Sequence, residues 1–123
     1  MTTSGPDLLA RLAAYHQALQ PFDADKVAAF FAPDATYLSP GIGRPLSGRD
    51  EIVAAFSSYF ARFPNQISTD DRIEVTGPLS LRSHWRLVAT DQETGQTVER
   101  KGTEDFEFEP SGLIARVVVH DSP

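Results

Sequence analysis

Residues 15–48 carry the sequence YHQALQPFDADKVAAFFAPDATYLSPGIGRPLSG, which changes character several times within a short span. A helical segment ends at a proline, a short aromatic-rich helix follows and stops at a Pro-Asp pair, and a brief strand leads into a loop rich in glycine and proline. Four longer strand-like stretches come next. This order predicts a small cone-shaped α+β domain around one apolar pocket, so the residues that line the pocket should determine its function.

Three helices are expected before the long strands. The first begins near Ser4-Gly5-Pro6-Asp7 and repeats apolar residues at spacings of four, three and four until Pro21 ends it. Asp23 is the expected cap of the second helix, which would end before Pro33, and Ser47 is the expected cap of the third. The apolar faces of these helices are expected to contain Leu8, Leu12, Tyr15, Leu19, Val27, Phe30, Phe31, Ile52, Phe56, Tyr59, Phe60 and Phe63.

From residue 66 onward, apolar and polar residues alternate, which is typical of strands. A short strand is expected earlier, over 35–39. Four long strands separated by glycine and proline turns are expected at 66–76, 79–91, 95–109 and 112–121. Three consecutive hairpins predict an antiparallel meander, and the whole chain, 1–123, is expected to form a single domain.

The composition narrows the classes of function. The 123-residue chain has no cysteine, which excludes disulfides and thiolate metal sites. Its formal net charge of −6 and pI of about 4.9 argue against a nucleic-acid partner. No apolar stretch reaches the roughly 20 residues that span a bilayer, and the first residues, MTTSGPD, lack the pattern of a signal peptide. We therefore expect a cytoplasmic protein that acts on a small apolar molecule without a cofactor, a membrane or a nucleic acid.

Strand alternation places two acids on apolar strand faces. In the third long strand, Glu104 shares a face with Arg100 and with the apolar residues Val98, Phe106 and Phe108. In the last strand, Asp121 falls on the face of Val117 and Val119. Acids seldom lie unpaired on such a face. Glu104 therefore either forms an ion pair with Arg100 or serves a function. Asp121 either points into water or serves a function.

At these residues the chain resembles the nuclear transport factor 2-like superfamily, especially its ketosteroid isomerase-like and SnoaL-like polyketide cyclase branches. The resemblance covers nearly the whole chain and rests on residues 15–48, on GRDEI at 48–52 and on GTEDFEFEPSGLI at 102–114. It implies the cone fold and a homodimer. It does not imply one particular activity, because this fold hosts isomerases, cyclases, dehydratases, hydrolases and non-catalytic binders.

The isomerase pattern is present in part. Tyr15 matches the tyrosine that donates a hydrogen bond to the developing oxyanion in these isomerases, and Glu104 matches the carboxylic acid that is held neutral as the second donor. Ser39 stands where those isomerases have their general-base aspartate, and Ser57 stands where some have a further tyrosine. A serine does not take a proton from carbon unless it is activated, so the resemblance leaves the base open.

SnoaL-like cyclases place a catalytic aspartate on their final strand, which makes Asp121 the candidate base. Val117-Val118-Val119 replaces the His-Trp-Asp sequence that is common in that family. Tyr37 and Trp85 are expected as aromatic walls of the pocket. The predicted site therefore consists of Tyr15, Glu104 and Asp121 for catalysis, and of Tyr37, Ser39, Trp85, Arg100, Phe106, Val117 and Val119 for substrate binding.

Other polar groups are not expected to form a site. By strand alternation His84 and His120 point away from the pocket. His16 could border the pocket but is expected on a helix surface, so no set of metal ligands is predicted. The sequence GIGRP at 41–45 lacks the third glycine of a phosphate-binding loop. A solvated strand edge is expected to contain the charged residues Asp70, Asp71, Arg72 and Glu74.

Three functions remain open. The first is an enzyme of isomerase or cyclase type, in which Tyr15 and Glu104 polarise a carbonyl group, and Asp121, or a water held by Ser39, transfers the proton. The second is a non-catalytic ligand-binding or dimerisation domain, in which Glu104 pairs with Arg100. The third is a lyase or epoxide hydrolase that uses Asp121 and Glu104 with support from Arg100.

Overall fold

A computed structural model of the protein describes residues 7–19, 23–40 and 42–121. Its helices are α1 (Leu8–Leu19), α2 (Ala24–Ala28) and α3 (Arg49–Arg62). Its strands are β1 (Phe31–Leu38), β2 (Leu46–Ser47), β3 (Ile67–Gly77), β4 (Ser80–Thr90), β5 (Thr97–Phe108) and β6 (Ile114–Asp121). The helices pack on a curved, unclosed sheet of six strands, so the predicted α+β architecture is confirmed.

The strands lie in the order β2-β1-β6-β5-β4-β3. The four long strands, β3 to β6, pair antiparallel in chain order, which confirms the predicted meander. Each begins and ends within two residues of its predicted bounds. The sheet is extended by β1, which pairs in parallel with β6, and by the short β2, which pairs with β1. The sequence did not indicate these two pairings, because β1 meets a strand near the other end of the chain.

The first helix follows its predicted apolar face. Leu8, Leu12 and Tyr15 are buried, and Ala18 joins them. The side chain of Asp7 accepts a hydrogen bond from the backbone N–H of Ala10 at 3.1 Å, which satisfies one of the free donors at the start of the helix. The cap expected at Ser4 and the stop expected at Pro21 lie outside the described residues.

The segment before β1 differs from the prediction. Asp23 caps α2 as expected, but the helix ends at Ala28 and does not continue to the aromatic pair. Phe31 already begins β1, four residues before the predicted strand, and pairs with Ile114 of β6. Pro33 falls where the pairing of β1 with β6 shifts register. Such an interruption tolerates proline, because no ladder hydrogen bond depends on its missing N–H.

The start of α3 also differs from the prediction, because Ser47 does not cap it. Ser47 lies in β2, and Gly48 occupies the cap position with a φ of 92°, in the region that favours glycine. The backbone N–H of Gly48 donates to the carbonyl oxygen of Ala35 at 2.7 Å, which ties the start of the helix to β1. Ile52 and Phe56 are thereby buried in the core.

The inner face of the sheet passes from core to cavity along β4, β5 and β6. On β5, Phe108 and Phe106 are buried in the core, whereas Glu104 and Arg100 line a cavity farther along the same face. β4 and β6 follow the same gradient, whereas β3 has no buried residue. The meander therefore combines a closed, fully packed part with a part that leaves space next to polar side chains.

Candidate functional site

The helices and the inner face of the sheet enclose a cavity of about 150 Å³. Its aromatic lining residues are Tyr15, Tyr37, Phe56, Tyr59, Phe60 and Trp85. Its other lining residues are His16, Leu19, Ser39, Ile42, Gln66, Ser68, Leu87, Arg100, Glu104 and Val119. This mixture of aromatic walls and a few polar groups is typical of sites for small organic molecules.

Glu104 is the acidic residue in the cavity wall. Its neighbours across the ladder are Ser83 on β4 and Val119 on β6, and neither carries a charge. Within residues 7–19, 23–40 and 42–121, no salt bridge or side-chain hydrogen bond reaches its carboxyl group. Burial raises the pKa of Glu104 to about 7, while the charge of His16 opposes the shift and that of Asp70 adds to it. A large fraction of the carboxyl groups is therefore protonated at neutral pH and able to donate a hydrogen bond.

Arg100, the alternative partner of Glu104, is engaged elsewhere. Its guanidinium group donates to Asp121 at 2.6 Å and to the hydroxyl of Tyr59 at 3.2 Å. It also lies over the ring of Trp85, with its central carbon 5.5 Å from the ring centroid. Its charge is thus balanced by Asp121 and held against aromatic side chains. The ion pair between Arg100 and Glu104 that the sequence left open does not form.

The geometry of β5 and β6 explains this choice of partner. Arg100 and Glu104 are four positions apart, which separates their Cα atoms by about 13 Å along a strand. Asp121 instead lies directly across the ladder from Gly102, diagonal to Arg100. A Cβ atom at Gly102 would overlap the carbonyl oxygen of His120, so glycine is what lets β6 approach this closely.

Among the three phenols that line the cavity, Tyr15 and Tyr37 interact electrostatically with Glu104. Tyr15 is 2% exposed, and edge-to-face contacts with Phe30, Phe31 and Phe106 hold its ring. Burial raises the pKa of Tyr15 well above its usual value, and the nearby Tyr37 and Glu104 add to the shift. Burial raises the pKa of Tyr37 in the same way. Both phenols therefore stay protonated and can donate hydrogen bonds to an oxygen atom in the cavity.

His16 and Asp70 form a pair that the sequence did not predict. His16 Nδ1 lies 2.9 Å from Asp70 Oδ2, and the hydroxyl of Ser83 donates to Asp70 Oδ1 at 2.6 Å. The Asp70 side chain is 15% exposed and that of His16 is 32% exposed. The expectations of a helix-surface histidine and of a solvated aspartate at this position are therefore wrong. His16 lines the cavity, and Asp70 packs behind it on the inner face of β3.

A break in strand alternation explains the error at Asp70. The pairing of β3 with β4 shifts register between Asp70 and Arg72, as at a β-bulge. Such a shift moves every later residue to the opposite face. Ile73 and Val75 therefore share a sheet face with Asp70, although they have the opposite parity in the sequence. No glycine or proline marks this position in the sequence, so only the observed pairing of β3 with β4 reveals the register shift.

Seven of the ten predicted site residues line the cavity, and their roles remain predictions. They are Tyr15, Tyr37, Ser39, Trp85, Arg100, Glu104 and Val119. Phe106 and Val117 do not line it, because they lie in the fully packed part of the sheet, where both are 0% exposed. Asp121 also lies outside the lining, on the exposed end of β6 with its carboxylate held by Arg100. This position is unfavourable for a catalytic base in the cavity.

Several lining residues were not predicted as part of the site. Phe56, Tyr59 and Phe60 were placed on the apolar face of α3, but nothing in the sequence showed that this face meets a cavity. Among the residues that the structure describes, no three side chains of His, Cys, Asp or Glu come together as a metal site. Within the same residues, no helix is both long and apolar enough to span a bilayer.

The curved sheet, the packed helices and the cavity together define a domain suited to holding or converting a small molecule. The family model described as SnoaL-like domain matches residues 12–117. The chain therefore belongs to the SnoaL-like family, within the nuclear transport factor 2-like superfamily, as the sequence predicted. No curated protein matches the sequence.

Solved structures support the same fold. Rv0760c from Mycobacterium tuberculosis, in complex with estradiol-17β-hemisuccinate, has a TM-score of 0.80 at 17% identity, with 92% of each chain covered. An NTF2-like protein of unknown function from Burkholderia pseudomallei has a TM-score of 0.82 at 20% identity, over 95% of this chain and 92% of the other. A hypothetical protein with a ketosteroid isomerase-like fold from Catenulispora acidiphila, in complex with trimethylamine, has a TM-score of 0.79 at 15% identity, over 95% and 86%. At these identities the similarity shows the fold alone.

Proposed function

We propose that the protein is an enzyme of isomerase or cyclase type, which binds a small, largely apolar molecule in the cavity and moves a proton next to its carbonyl group. The observation that carries this proposal is the unpaired Glu104, whose pKa of about 7 lets the carboxyl group donate a hydrogen bond inside an aromatic cavity. A purely structural acid at this position would be expected to have a charged partner. The arrangement therefore favours chemistry over packing.

The first requirement of such chemistry is a place for negative charge on the substrate oxygen. When a proton leaves the carbon next to a carbonyl group, the electron pair moves to the oxygen and forms an enolate. Tyr15 and the protonated form of Glu104 supply two donors for this oxygen in the cavity. One such donor can contribute roughly 10²–10³-fold to the rate in other enzymes.

The size of the cavity limits the substrate. A volume of about 150 Å³ is of the order that holds a single benzene ring in an engineered protein interior. We therefore propose a compact substrate with one ring inside the cavity. The two ligand-bound proteins of similar fold, with estradiol-17β-hemisuccinate and with trimethylamine, support a role in small-molecule binding and differ too widely in size to name the ligand.

A second candidate function is non-catalytic binding of the same kind of molecule. The observation that favours it is Ser39, which lines the cavity at the position of the isomerase base and has no proton-accepting group of suitable strength. Under this alternative Glu104 only hydrogen-bonds the ligand. The two functions differ in one respect, because only the enzyme exchanges a carbon-bound proton.

Deuterium exchange tests the proposal. The protein is incubated in D₂O with 2-indanone or cyclohexanone, and loss of the α-proton NMR signal is followed. We expect exchange faster than in a blank without protein, and at least a tenfold loss in Glu104→Gln, because an amide is a weaker donor than a carboxylic acid. Glu107→Gln is the matched control, since Glu107 lies on the outer side of β5 beside Arg116. Ligand binding without exchange would support the non-catalytic alternative.

We also propose that the protein is a cytoplasmic homodimer. The outer face of β3 and β4 exposes Ile67 and Val88 directly opposite each other, next to Arg86. Two adjacent apolar side chains beside paired charges suit an interface between two copies. Sedimentation of the protein and of Val88→Arg tests this, with a dimer expected for the former and a shift towards monomer for the latter. An unchanged dimer in the variant would place the interface elsewhere.

A further inference from the structure

His16, Asp70 and Ser83 come from three different elements and meet behind the cavity wall. His16 belongs to α1, Asp70 to β3 and Ser83 to β4. Asp70 receives one contact on each carboxylate oxygen, from His16 Nδ1 at 2.9 Å and from the Ser83 hydroxyl at 2.6 Å. Ser83 is 0% exposed, so this end of the chain of contacts is shielded from water.

The contact with Asp70 determines which nitrogen of His16 is available to accept a proton. Because Nδ1 is held by Asp70, a neutral His16 keeps its proton on Nδ1 and its lone pair on Nε2. Among the described residues, no hydrogen bond engages Nε2. His16 lines the same cavity as Glu104 and Tyr15, so a proton acceptor and two oxyanion donors share one space.

We infer that His16 is the catalytic base of this cavity and that Asp70 and Ser83 are positioning residues that hold its ring. The assignment rests on the function proposed above and supplies the base that Ser39 does not. The Nε2 lone pair takes the α-proton of the substrate. The electrons of the broken C–H bond form a carbon–carbon double bond, and the carbonyl electron pair moves to the oxygen that Tyr15 and Glu104 contact. His16 then returns the proton to the same or another carbon, which restores the neutral ring.

The charges around His16 support this assignment. Burial lowers the pKa of His16, but the hydrogen bond and the charge of Asp70 raise it, and Glu104 adds to this only when it is ionised, so the pKa is raised overall. Hydrogen bonds from His16 and Ser83 outweigh burial at Asp70 and lower its pKa, so that it remains a carboxylate. The other titratable or charged side chains that line the cavity are Tyr15, Tyr37, Tyr59 and Arg100. A raised pKa makes the neutral imidazole ring a stronger proton acceptor.

The alternative bases are less well placed. Asp121 lies outside the cavity lining, and its carboxylate is occupied by Arg100 at 2.6 Å. A water at Ser39 would itself need a base to become a strong acceptor. A purely structural role for the His16–Asp70 pair, tying α1 to β3, is the remaining explanation, and it predicts loss of stability without specific loss of proton transfer.

The test uses the 2-indanone exchange assay with His16→Gln, which keeps a polar side chain and cannot take a proton. His120→Gln is the matched control, because His120 is exposed on the outer face of β6. We expect at least a hundredfold loss in His16→Gln and an unchanged rate in His120→Gln, with both variants folded by circular dichroism. In His16→Ala, added imidazole should restore part of the rate.

The outcomes separate the two proposals. Exchange that is lost in Glu104→Gln and retained in folded His16→Gln would overturn the role of His16 and leave the proposed function intact. Absence of exchange in the unmodified protein would overturn both. If His16→Gln fails to fold, Asp70→Asn replaces it, and a rate within threefold of the parent would then overturn the assignment.

A measurement without substrate tests the positioning residues. NMR titration of the His16 ring should give a pKa above 6.5 in the protein and a lower value in Asp70→Asn, with the acidic limb of the rate profile shifted in the same direction. Ser83→Ala should change the His16 pKa less than Asp70→Asn does, because Asp70 keeps its charge. An unchanged His16 pKa in Asp70→Asn would overturn the positioning role of Asp70, because that role requires its carboxylate to hold the imidazole ring.

Discussion

Arg100 donates a hydrogen bond to Asp121 at 2.6 Å across the β5–β6 ladder, and this pairing leaves Glu104 without a charged partner. The positive charge of Arg100 is thereby balanced by Asp121 at the exposed end of the sheet. Glu104, on the same face of β5, is left in an aromatic environment that disfavours its ionised form. The difference between these two side chains, four positions apart, is the basis of the chemistry proposed for this site.

Replacing Tyr15 by phenylalanine should slow exchange roughly 10²–10³-fold, because one donor to the oxyanion is lost. The aromatic contacts of the ring remain, so the free energy of unfolding should change by less than about 1.5 kcal/mol. Exchange by NMR and chemical denaturation measure the two effects. Tyr59→Phe is the comparison, with a smaller effect on rate, since that hydroxyl accepts from Arg100. An unchanged rate in Tyr15→Phe would remove Tyr15 from the mechanism.

Glu104→Gln should make the protein more stable at pH 8 and change its stability little at pH 5. The pKa of Glu104 is 4.5 in the unfolded chain and about 7 in the folded protein. Between these two pH values, the unfolded chain has lost this proton while the folded protein still holds it. Stability that depends on the protonated group is therefore fully present below about pH 4.5 and is lost as the pH rises through 7. The variant cannot ionise, and its advantage at pH 8 should reach at most about 3 kcal/mol.

Denaturation at pH 5, 6, 7 and 8 measures this difference. Glu107→Gln serves as control, because Glu107 is 58% exposed and should show no comparable trend. Comparing each variant with the parent at the same pH removes most of the contribution from other titrating groups. A stability difference independent of pH would mean that Glu104 ionises as it does in water.

Asp121→Asn should leave exchange within about threefold of the parent rate. The carboxylate lies outside the cavity lining, and Arg100 keeps its hydrogen bond to Tyr59. Because Asp121 is 37% exposed, loss of the ion pair should cost no more than about 1 kcal/mol of stability. The same exchange and denaturation measurements apply. A hundredfold loss of rate with an intact fold would instead support Asp121 as the base.

Gly102→Ala should destabilise the protein by more than about 2 kcal/mol, because the new methyl group would overlap the carbonyl oxygen of His120. The two strands would have to separate, and the contact between Arg100 and Asp121 would weaken. Lys101→Ala is the control, since this neighbouring side chain is exposed. Thermal melts of both variants measure the effect. Equal stability would show that β6 can shift away from β5 at no cost.

Much of the fold follows from local rules in the sequence. The period of two and the turn residues placed the four long strands to within two residues. The spacing of Leu8, Leu12 and Tyr15 identified the buried face of α1, and Asp23 identified the start of α2. Alternation along β5 put Glu104 on the inner face. These patterns involve only residues that are close together in the chain, so they can be recognised from the sequence alone.

Contacts between distant segments could not be deduced in the same way. The sequence left two partners for Glu104, and the register of β5 against β6 removed one of them by bringing Asp121 to Arg100. The register shift beside Asp70 reversed the faces of β3, and the packing of α1 then brought His16 to that aspartate. No short-range pattern marks either event.

Local sequence patterns therefore specified the three helices, five of the six strands, their order and the acid on the inner face of the sheet. The packing of distant segments selected which polar groups meet in the cavity and which remain unpaired. The reason is physical: helix and strand periodicity depend on neighbours along the chain, whereas strand register and helix docking depend on the packing of the whole molecule.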